Sequence, residues 1–297
     1  MENNGERIWD YTSISTFQTC PKKFYYRMIK DLTPLTTAPA LLFGKALHMA
    51  LETYYNNTEN RLEKAIEAFK ANYVDSESDA KRTTANAEKL LRGYAEVYAN
   101  EPFKVLSTEV GFSVPVEYGS GKSFLLCGRL DALVDWQGAL YVLEHKSTTM
   151  LASNYFFQFE MNMQVDGYIY AATQITGRRC LGAIINAMEV WKNVQKPTAK
   201  TKQLSDHYAR DPQSRSEHQL KEYCEDLGLV VEDIIKAEKL NRFPRNKQSC
   251  FNYNYKCPYW DICKYGEDER LIEKNFRKER WEPYKQVEGG ENANRVK

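Results

Sequence analysis

The chain has 297 residues, 42% hydrophobic and 27% charged, which suits one large soluble domain, or a domain with a helical elaboration, that buries a proper core. A net charge of +1 excludes a global basic field, so any nucleic-acid surface must be local. No apolar run reaches membrane-span length and MENNGERIWDY has no signal-peptide core, so no membrane partner and a cytoplasmic setting are expected, where seven cysteines fit metal or cluster ligation better than disulfides.

Residues 1–12 read as a short tail. Ser13 or Ser15 can cap a helix through FQTCPKKFYYRMI, with a break at Pro21 just after Cys20. Residues 31–40 read as a loop. A helix over Leu42 to Tyr55 carries an apolar stripe of Leu42, Ala46, Met49, Ala50 and Tyr54. His48 lies beside that stripe, where a lone histidine is ordinarily a packed or exposed residue. Helices over 60–74 and 79–99 follow.

From Lys104 the period changes to strand. VLSTEVGFSVPVEY, a GSGK turn and two further strands joined at Trp136-Gln137-Gly138 make an antiparallel meander. Glu109 either projects toward the same end of the sheet as the last two strands' charged residues or is a solvated strand residue, and the second is the favoured reading. A polar loop from Thr148 to Asn154 leads to a helix over 156–175, with Gln164 and Tyr168 on one face and Gly177 at its end. LGAIINAMEVW reads as a strand buried on both faces. The loop after it carries Lys192, Lys196, Lys200 and Lys202, a solvated charge run or a contact to a phosphate backbone. Ser214 to Arg242 is a long amphipathic helix. Cys250, Cys257 and Cys263 follow in a stretch with little regular structure, and the last segment is charged, helical, then frayed.

This order predicts an α+β fold in three parts: a helical N-terminal region (1–103), a meander plus a further strand flanked by helices (104–200), and a C-terminal helix with a cysteine-rich tail packing back on the N-terminal region (201–297).

The chemistry concentrates in GRLDALVDWQGALYVLEHK, Gly128 to Lys146. The last strand ends Glu144-His145-Lys146, so Glu144 and Lys146 share one face and His145 points to the other. Asp131, on the partner strand, can stand beside Glu144. Two carboxylates can hold Mg2+ or Mn2+, which polarises a phosphate and lowers the pKa of water, and a lysine can orient that water or neutralise developing charge. A charged hairpin end with a solvated Glu144–Lys146 pair is the plainer alternative.

Cys250, Cys257 and Cys263, with Cys20 as fourth candidate, can ligate zinc or an iron–sulfur cluster. Their spacings of six (251–256) and five (258–262) residues fit zinc less well. Cys127, Cys180 and Cys224 sit in regular patterns and read as core.

Together these motifs give a resemblance. From Ser13 to Cys263 the chain resembles RecB-like members of the PD-(D/E)XK nuclease superfamily, in the branch with an iron–sulfur cluster that includes AddB-type nuclease domains, CRISPR-associated nucleases and phage exonucleases. GKALHMALE matches the family helix with a metal-binding histidine, here His48. GRLDALVD matches the motif of the first acidic ligand, Asp131. LEHKST matches Glu-x-Lys, with Glu144 a ligand, Lys146 the catalytic lysine and the His145 carbonyl a further ligand. QVDGY matches the Gln-x-x-x-Tyr motif that contacts nucleic acid, here Gln164 and Tyr168. TCPKKFYYR matches the segment of the first cluster cysteine. Several relatives have two residues between the first two cysteines of the C-terminal trio where this chain has six, which leaves Cys250 the least certain ligand.

The resemblance implies a restriction-endonuclease-like core and a Mg2+- or Mn2+-dependent deoxyribonuclease. It implies an exonuclease acting on single strands or free ends in DNA recombination, repair or replication, phage-type in length and in the host cytoplasm if so encoded. It also implies a structural [4Fe–4S] cluster on Cys20, Cys250, Cys257 and Cys263. A non-cleaving nucleic-acid-binding module and a zinc-stapled structural protein are the rival readings.

Overall fold

The computed structural model of the chain describes residues 2–3, 6–192, 201–252 and 255–283. In chain order, β1 (Glu2–Asn3) pairs with β2 (Glu6–Asp10), and α1 (Tyr11–Thr19) starts at once. α2 (Pro21–Phe24) follows Cys20, a π-helical turn covers Tyr25–Ile29, and β3 (Leu32–Pro34) precedes α3 (Pro39–Asn56), α4 (Arg61–Asn72) and α5 (Thr84–Val97). The strands β4 (Lys104–Tyr118), β5 (Lys122–Trp136) and β6 (Ala139–Thr148) come next, then α6 (Phe157–Glu160), α7 (Met163–Thr176), β7 (Cys180–Glu189) and β8 (Tyr208–Ser214). The chain continues with α8 (Glu217–Lys239), β9 (Phe251–Asn252), β10 (Tyr255–Lys256), α9 (Trp260–Tyr265), α10 (Glu269–Asn275) and β11 (Phe276–Lys278).

These elements form two compact units, with β4 and β5 each passing from one into the other. The first gathers Met1–Thr37, Phe112–Gly128 and Glu217–Gly289. In it β2 runs parallel to the start of β5, with Ile8 opposite Leu125 and Asp10 opposite Cys127. β3 pairs with β11, and Tyr26, Leu32, Tyr259, Ile262 and Phe276 form a small core beside them.

The second unit gathers Ala38–Gly111 and Arg129–Ser216. Its sheet is mixed: the second half of β5 is antiparallel to β6, β6 is parallel to β7, and β7 is antiparallel to β8. The β5–β6 turn is held by positive φ at Gln137 (54°) and Gly138 (84°), the mirror-image turn whose twist suits a two-residue hairpin. β7 is almost wholly buried, which explains its unbroken apolar run. α3, α4 and α5 pack Phe43, Leu47, Leu51, Phe69 and Leu91 around Met188 and Tyr208. A second core, Phe103, Ala132, Val134, Leu143 and Ile184, seats the hairpin.

Several local expectations are corrected. The supposed tail contains β2, hidden because it is so short. Asp10, not Ser13 or Ser15, caps α1: its carboxylate accepts from Ser13 N at 2.7 Å while Ser13 Oγ accepts from Asp10 N at 3.2 Å, a reciprocal box. The loop at 31–40 holds β3. The single helix over 156–175 is two, broken at Met161–Asn162, where Asn162 caps α7. β8 went unforeseen because YARDPQS is polar and carries a proline, which only an edge strand tolerates. Lys196 and Lys200 of the basic loop, and the end of the last segment, lie outside the described residues.

Gly93, on α5, is required by close packing: a Cβ there would meet the Tyr208 hydroxyl at 2.3 Å and Leu204 at 2.9 Å. Alanine gains about 1 kcal/mol of helix propensity but overpacking costs about 1–3 kcal/mol. Gly93→Ala is therefore expected to lower the urea midpoint, and Tyr208→Phe in that background to recover part of the loss.

Candidate functional site

The hairpin sets the geometry. Its last antiparallel rung pairs Ala132 with Leu143, so the next residues, Asp131 and Glu144, stand side by side. His145 N–H donates to Asp131 Oδ2 at 2.7 Å, which fixes the carboxylate. On the shared face, Lys146 Nζ donates to Glu144 Oε1 at 2.6 Å and to Gln164 Oε1 at 3.1 Å. Gln164 Nε2 in turn donates to the Tyr168 hydroxyl at 2.9 Å. The first turn of α7 thus holds the lysine from behind.

His48 arrives from α3. Its Nδ1 lies 2.9 Å from Asp131 Oδ1 and its Nε2 lies 3.1 Å from the His145 carbonyl oxygen. Both partners accept, so the ring serves them fully only as an imidazolium. Burial works against that charge, but Asp131 outweighs it and holds the His48 pKa up at about 9. The His48 side chain keeps 31% of its surface open, so the site is reachable from solvent.

The remaining charges are crowded. Burial would raise Asp131, yet His48 holds it well below the usual carboxylate range. Burial and the neighbouring Asp131 push Glu144 up, against the pull of Lys146. Burial also opposes a charged Lys146, but Glu144 outweighs it and keeps the amine an ammonium. Glu144 Oε2 is buried and has no hydrogen-bond partner.

Glu109 belongs to this cluster, contrary to the sequence reading of a solvated strand residue. One ligand atom each from His48, Glu109 and Asp131 lie within 4.8 Å of one another. Burial, then Asp131, push the Glu109 pKa up to about 7. Its backbone is left-handed inside β4 (φ 46°), which costs about 1–2 kcal/mol for a residue with a Cβ. Strain of this kind collects at functional sites. Alternation along the strand carries no sign of that kink.

His145 turns its imidazole to the opposite face. Arg210 Nε, which can only donate, reaches Asn186 Oδ1 at 3.0 Å, so the Asn186 amide nitrogen must face His145 Nδ1, at 2.8 Å. Arg210 also pairs with Glu101 and bonds the Tyr94 hydroxyl at 2.9 Å. Burial pushes the His145 pKa down to about 3, so the ring is neutral. This network locks the residue whose backbone holds Asp131 and His48. No residue pattern in the sequence marked it.

The donor set fits a hard divalent cation. Glu109 and Asp131 converge with His48, Glu144 stands beside Asp131, both glutamates have raised pKa values, and Glu144 Oε2 is buried without a partner among the described residues.

The cysteines behave differently. Cys20, Cys250, Cys257 and Cys263 line one cavity of about 180 Å³ with Lys22, Lys23 and Arg245. Asn246 N–H points at Cys20 Sγ (3.4 Å) and Arg245 Nε at Cys263 Sγ (3.2 Å). Cys127, Cys180 and Cys224 are buried elsewhere, and burial pushes the Cys127 thiol up to about 12 and the Cys180 thiol up to about 11.

The sequence profile of the PD-(D/E)XK nuclease superfamily matches residues 9–264. No curated protein matches the chain. A protein of solved structure named as an exonuclease, from Eubacterium rectale, is similar over 95% of this chain and 93% of its own, at 12% identity and a TM-score of 0.50. At that identity the likeness speaks for the fold alone. The alkaline exonuclease LHK-Exo from Laribacter hongkongensis is similar over 68% of this chain and 95% of its own (11% identity, TM-score 0.31). SSO0001 is similar over 79% and 90% (15% identity, TM-score 0.35); both TM-scores are too low to carry an argument. The mixed sheet flanked by helices is the restriction-endonuclease-like arrangement.

In EDTA, stability is expected to fall as pH rises from about 6.5 to 9, where the folded site keeps protons that the unfolded chain gives up; below 6.5 the buried, neutral His145 works against that slope. Glu109, near 7 when folded and 4.5 unfolded, supplies the lower limb, and Glu144 shifts the same way. His48, near 9 when folded and 6.5 unfolded, supplies the upper limb: its contribution is complete below 6.5 and lost as pH passes 9. Thermal melts across this range check the slope. Glu109→Gln should remove part of the lower limb, His48→Gln the upper one, and saturating Mg2+ should flatten both. A melting temperature that climbs between pH 6.5 and 9 in EDTA would contradict the assignment.

Proposed function

The chain belongs to the PD-(D/E)XK nuclease superfamily, and from that premise we propose that it is a metal-dependent deoxyribonuclease working from single strands or free ends. The observation that carries the reading is the buried, partnerless Glu144 Oε2 beside Asp131, with the Lys146 ammonium 2.6 Å from the other oxygen. Asp131, Glu144 and the His145 carbonyl would hold Mg2+ or Mn2+, with His48 once it has given up its proton, and Glu109 adds a carboxylate the motif did not include. When bound, the cation would supply the charge that polarises a phosphodiester and eases deprotonation of water.

The chain's own groups do the rest. Lys146 stays protonated at neutral pH, so it donates: it orients the attacking water or meets charge developing on phosphoryl oxygens. Gln164 and Tyr168 hold that ammonium in place, which gives the Gln-x-x-x-Tyr pair a positioning role besides any contact with nucleic acid.

The same proposal includes a [4Fe–4S] cluster on Cys20, Cys250, Cys257 and Cys263. Its support is that the four cysteines line one cavity and that N–H groups are aimed at two of the sulfurs. The cluster would tie the segment around Cys20 to the C-terminal cysteine segment, both within one compact unit.

Lys146→Ala should lower cleavage by at least about 100-fold while Mn2+ still binds, and Asp131→Ala should weaken Mn2+ by more than about tenfold. Digestion of end-labelled linear DNA beside a closed circle tests the requirement for ends. Full activity in either variant removes the catalytic assignment, and circle cleavage removes the exonuclease one.

Protein purified without oxygen should be brown and contain iron and sulfide. Cys20→Ala, Cys250→Ala, Cys257→Ala and Cys263→Ala should each lose the colour, while Cys127→Ala, Cys180→Ala and Cys224→Ala keep it. A colourless preparation with zinc would decide for the rival metal.

A further inference from the structure

We infer that the segment between Lys146 and Gln164 is a stacking platform for the bases of a single nucleic-acid strand at the catalytic centre, an inference that rests on the nuclease reading above. The segment's two ends meet in the site: Lys146 Nζ and Gln164 Oε1 are 3.1 Å apart, so everything between them forms a loop rooted at the catalytic lysine. Tyr155, inside the loop, is close enough to Lys146 for each to shift the other's titration.

The loop's composition is unusual for an exposed one. Between Lys146 and Gln164 the one charged residue is Glu160, and the sequence reads STTMLASNYFFQFEMNM. Met150 is 70% exposed, Phe157 66% and Met161 90%. Large apolar side chains left in water beside a functional site mark a contact surface rather than scatter.

The exposure is built in. Phe159 is buried, and its carbonyl accepts from Arg215 Nη2 at 2.8 Å, while the Arg215 Nε pairs with Asp166 of α7. Asn162 Nδ2 bonds the Gln158 carbonyl at 3.2 Å as its Oδ1 caps α7. With Phe159 pinned inward, Phe157 and Met161 are held outward, so little ordering remains to be done on binding.

The margins suit a polyanion. Lys81 Nζ donates to the Thr149 carbonyl at 3.3 Å and is exposed; Lys202 Nζ donates to the Leu151 carbonyl at 3.1 Å and is also paired with Glu189 at 2.6 Å. An aromatic ring and a thioether beside an exposed ammonium group is the combination that binds single strands: bases stack on the apolar side chains and a phosphate meets the cation. A paired end would have to open to use it, which links the loop to the single-strand preference.

The test is the binding of a fluorescein-labelled single-stranded oligothymidylate, in EDTA so that nothing is cut, followed by anisotropy. Phe157→Ala and Met161→Ala should each weaken binding by about 5- to 100-fold. Phe157→Trp should retain it. An abasic strand of the same length should bind the unaltered protein about as weakly as the variants bind the normal strand, and the variants should show no further loss on it. Unchanged binding in both alanine variants overturns the inference, as does an equal loss on the abasic strand. A dimer of the unaltered protein that Phe157→Ala dissociates, with DNA binding intact, would assign the surface to a second copy and also overturn it. Hydrolysis of bis(4-nitrophenyl) phosphate, a phosphodiester without bases, is measured on the unaltered protein in parallel. Its absence counts against the catalytic reading alone, and the anisotropy comparison still decides the platform.

Discussion

The backbone of His145 is the constraint on which the candidate site at this end of the sheet depends. Its N–H fixes one oxygen of Asp131 and its carbonyl accepts from His48, so one residue sets two of the candidate ligands and offers a third atom itself. Backbone groups in a ladder are stiff, but a strand end can fray. Here the imidazole is tied to Asn186 on the far face, and Asn186 to the Arg210–Glu101 pair. A pair buried in this way is weak evidence for stability, since desolvating both charges offsets most of their attraction. Its consequence is geometric: it leaves His145 one orientation, and with it Asp131 and His48.

Around that fixed residue the carboxylates are closer than they can be while all are charged. Asp131 keeps its charge because His48 is beside it, and Glu109 and Glu144 are raised partly because Asp131 does. Carboxylates sharing a site without a cation resolve the conflict with protons. In this site His48 holds its proton, and Glu109 and Glu144 take one more readily than free glutamates do; these are the groups a divalent cation would engage. Metal and protons therefore compete for one set of atoms.

What could be read from the sequence follows what side-chain periodicity can encode. A strand alternates, so Glu144 and Lys146 had to share a face, and a hairpin with a known turn had to bring Asp131 alongside. Helical spacing put Gln164 and Tyr168 together. The cysteines could be sorted because Cys127, Cys180 and Cys224 fall in apolar periodic stretches, while Cys20, Cys250 and Cys257 fall outside regular elements and Cys263 in the short α9. Glu109 was lost because its placement depends on a left-handed backbone that no periodicity reports, and the Asn186–Arg210–Glu101 network because its members are far apart in sequence and meet only through the sheet. β2 and β8 were missed for a related reason: one is short and the other polar, and each is a strand only because a neighbour offers it a ladder.

The break between α6 and α7 connects these levels. An unbroken helix over 156–175, the expectation from its apolar content, would have continued through Asn162. Breaking there makes Asn162 a cap for α7, so Gln164 stands in the first turn and points at Lys146. Phe159 turns inward under Arg215 while Phe157 and Met161, four residues apart, stay outside. A continuous helix would keep that arrangement but would have to give up the cap. The cost of the interruption, a few unmade helical hydrogen bonds, is offset in part by the cap. One local departure from helical periodicity therefore aims the support of Lys146.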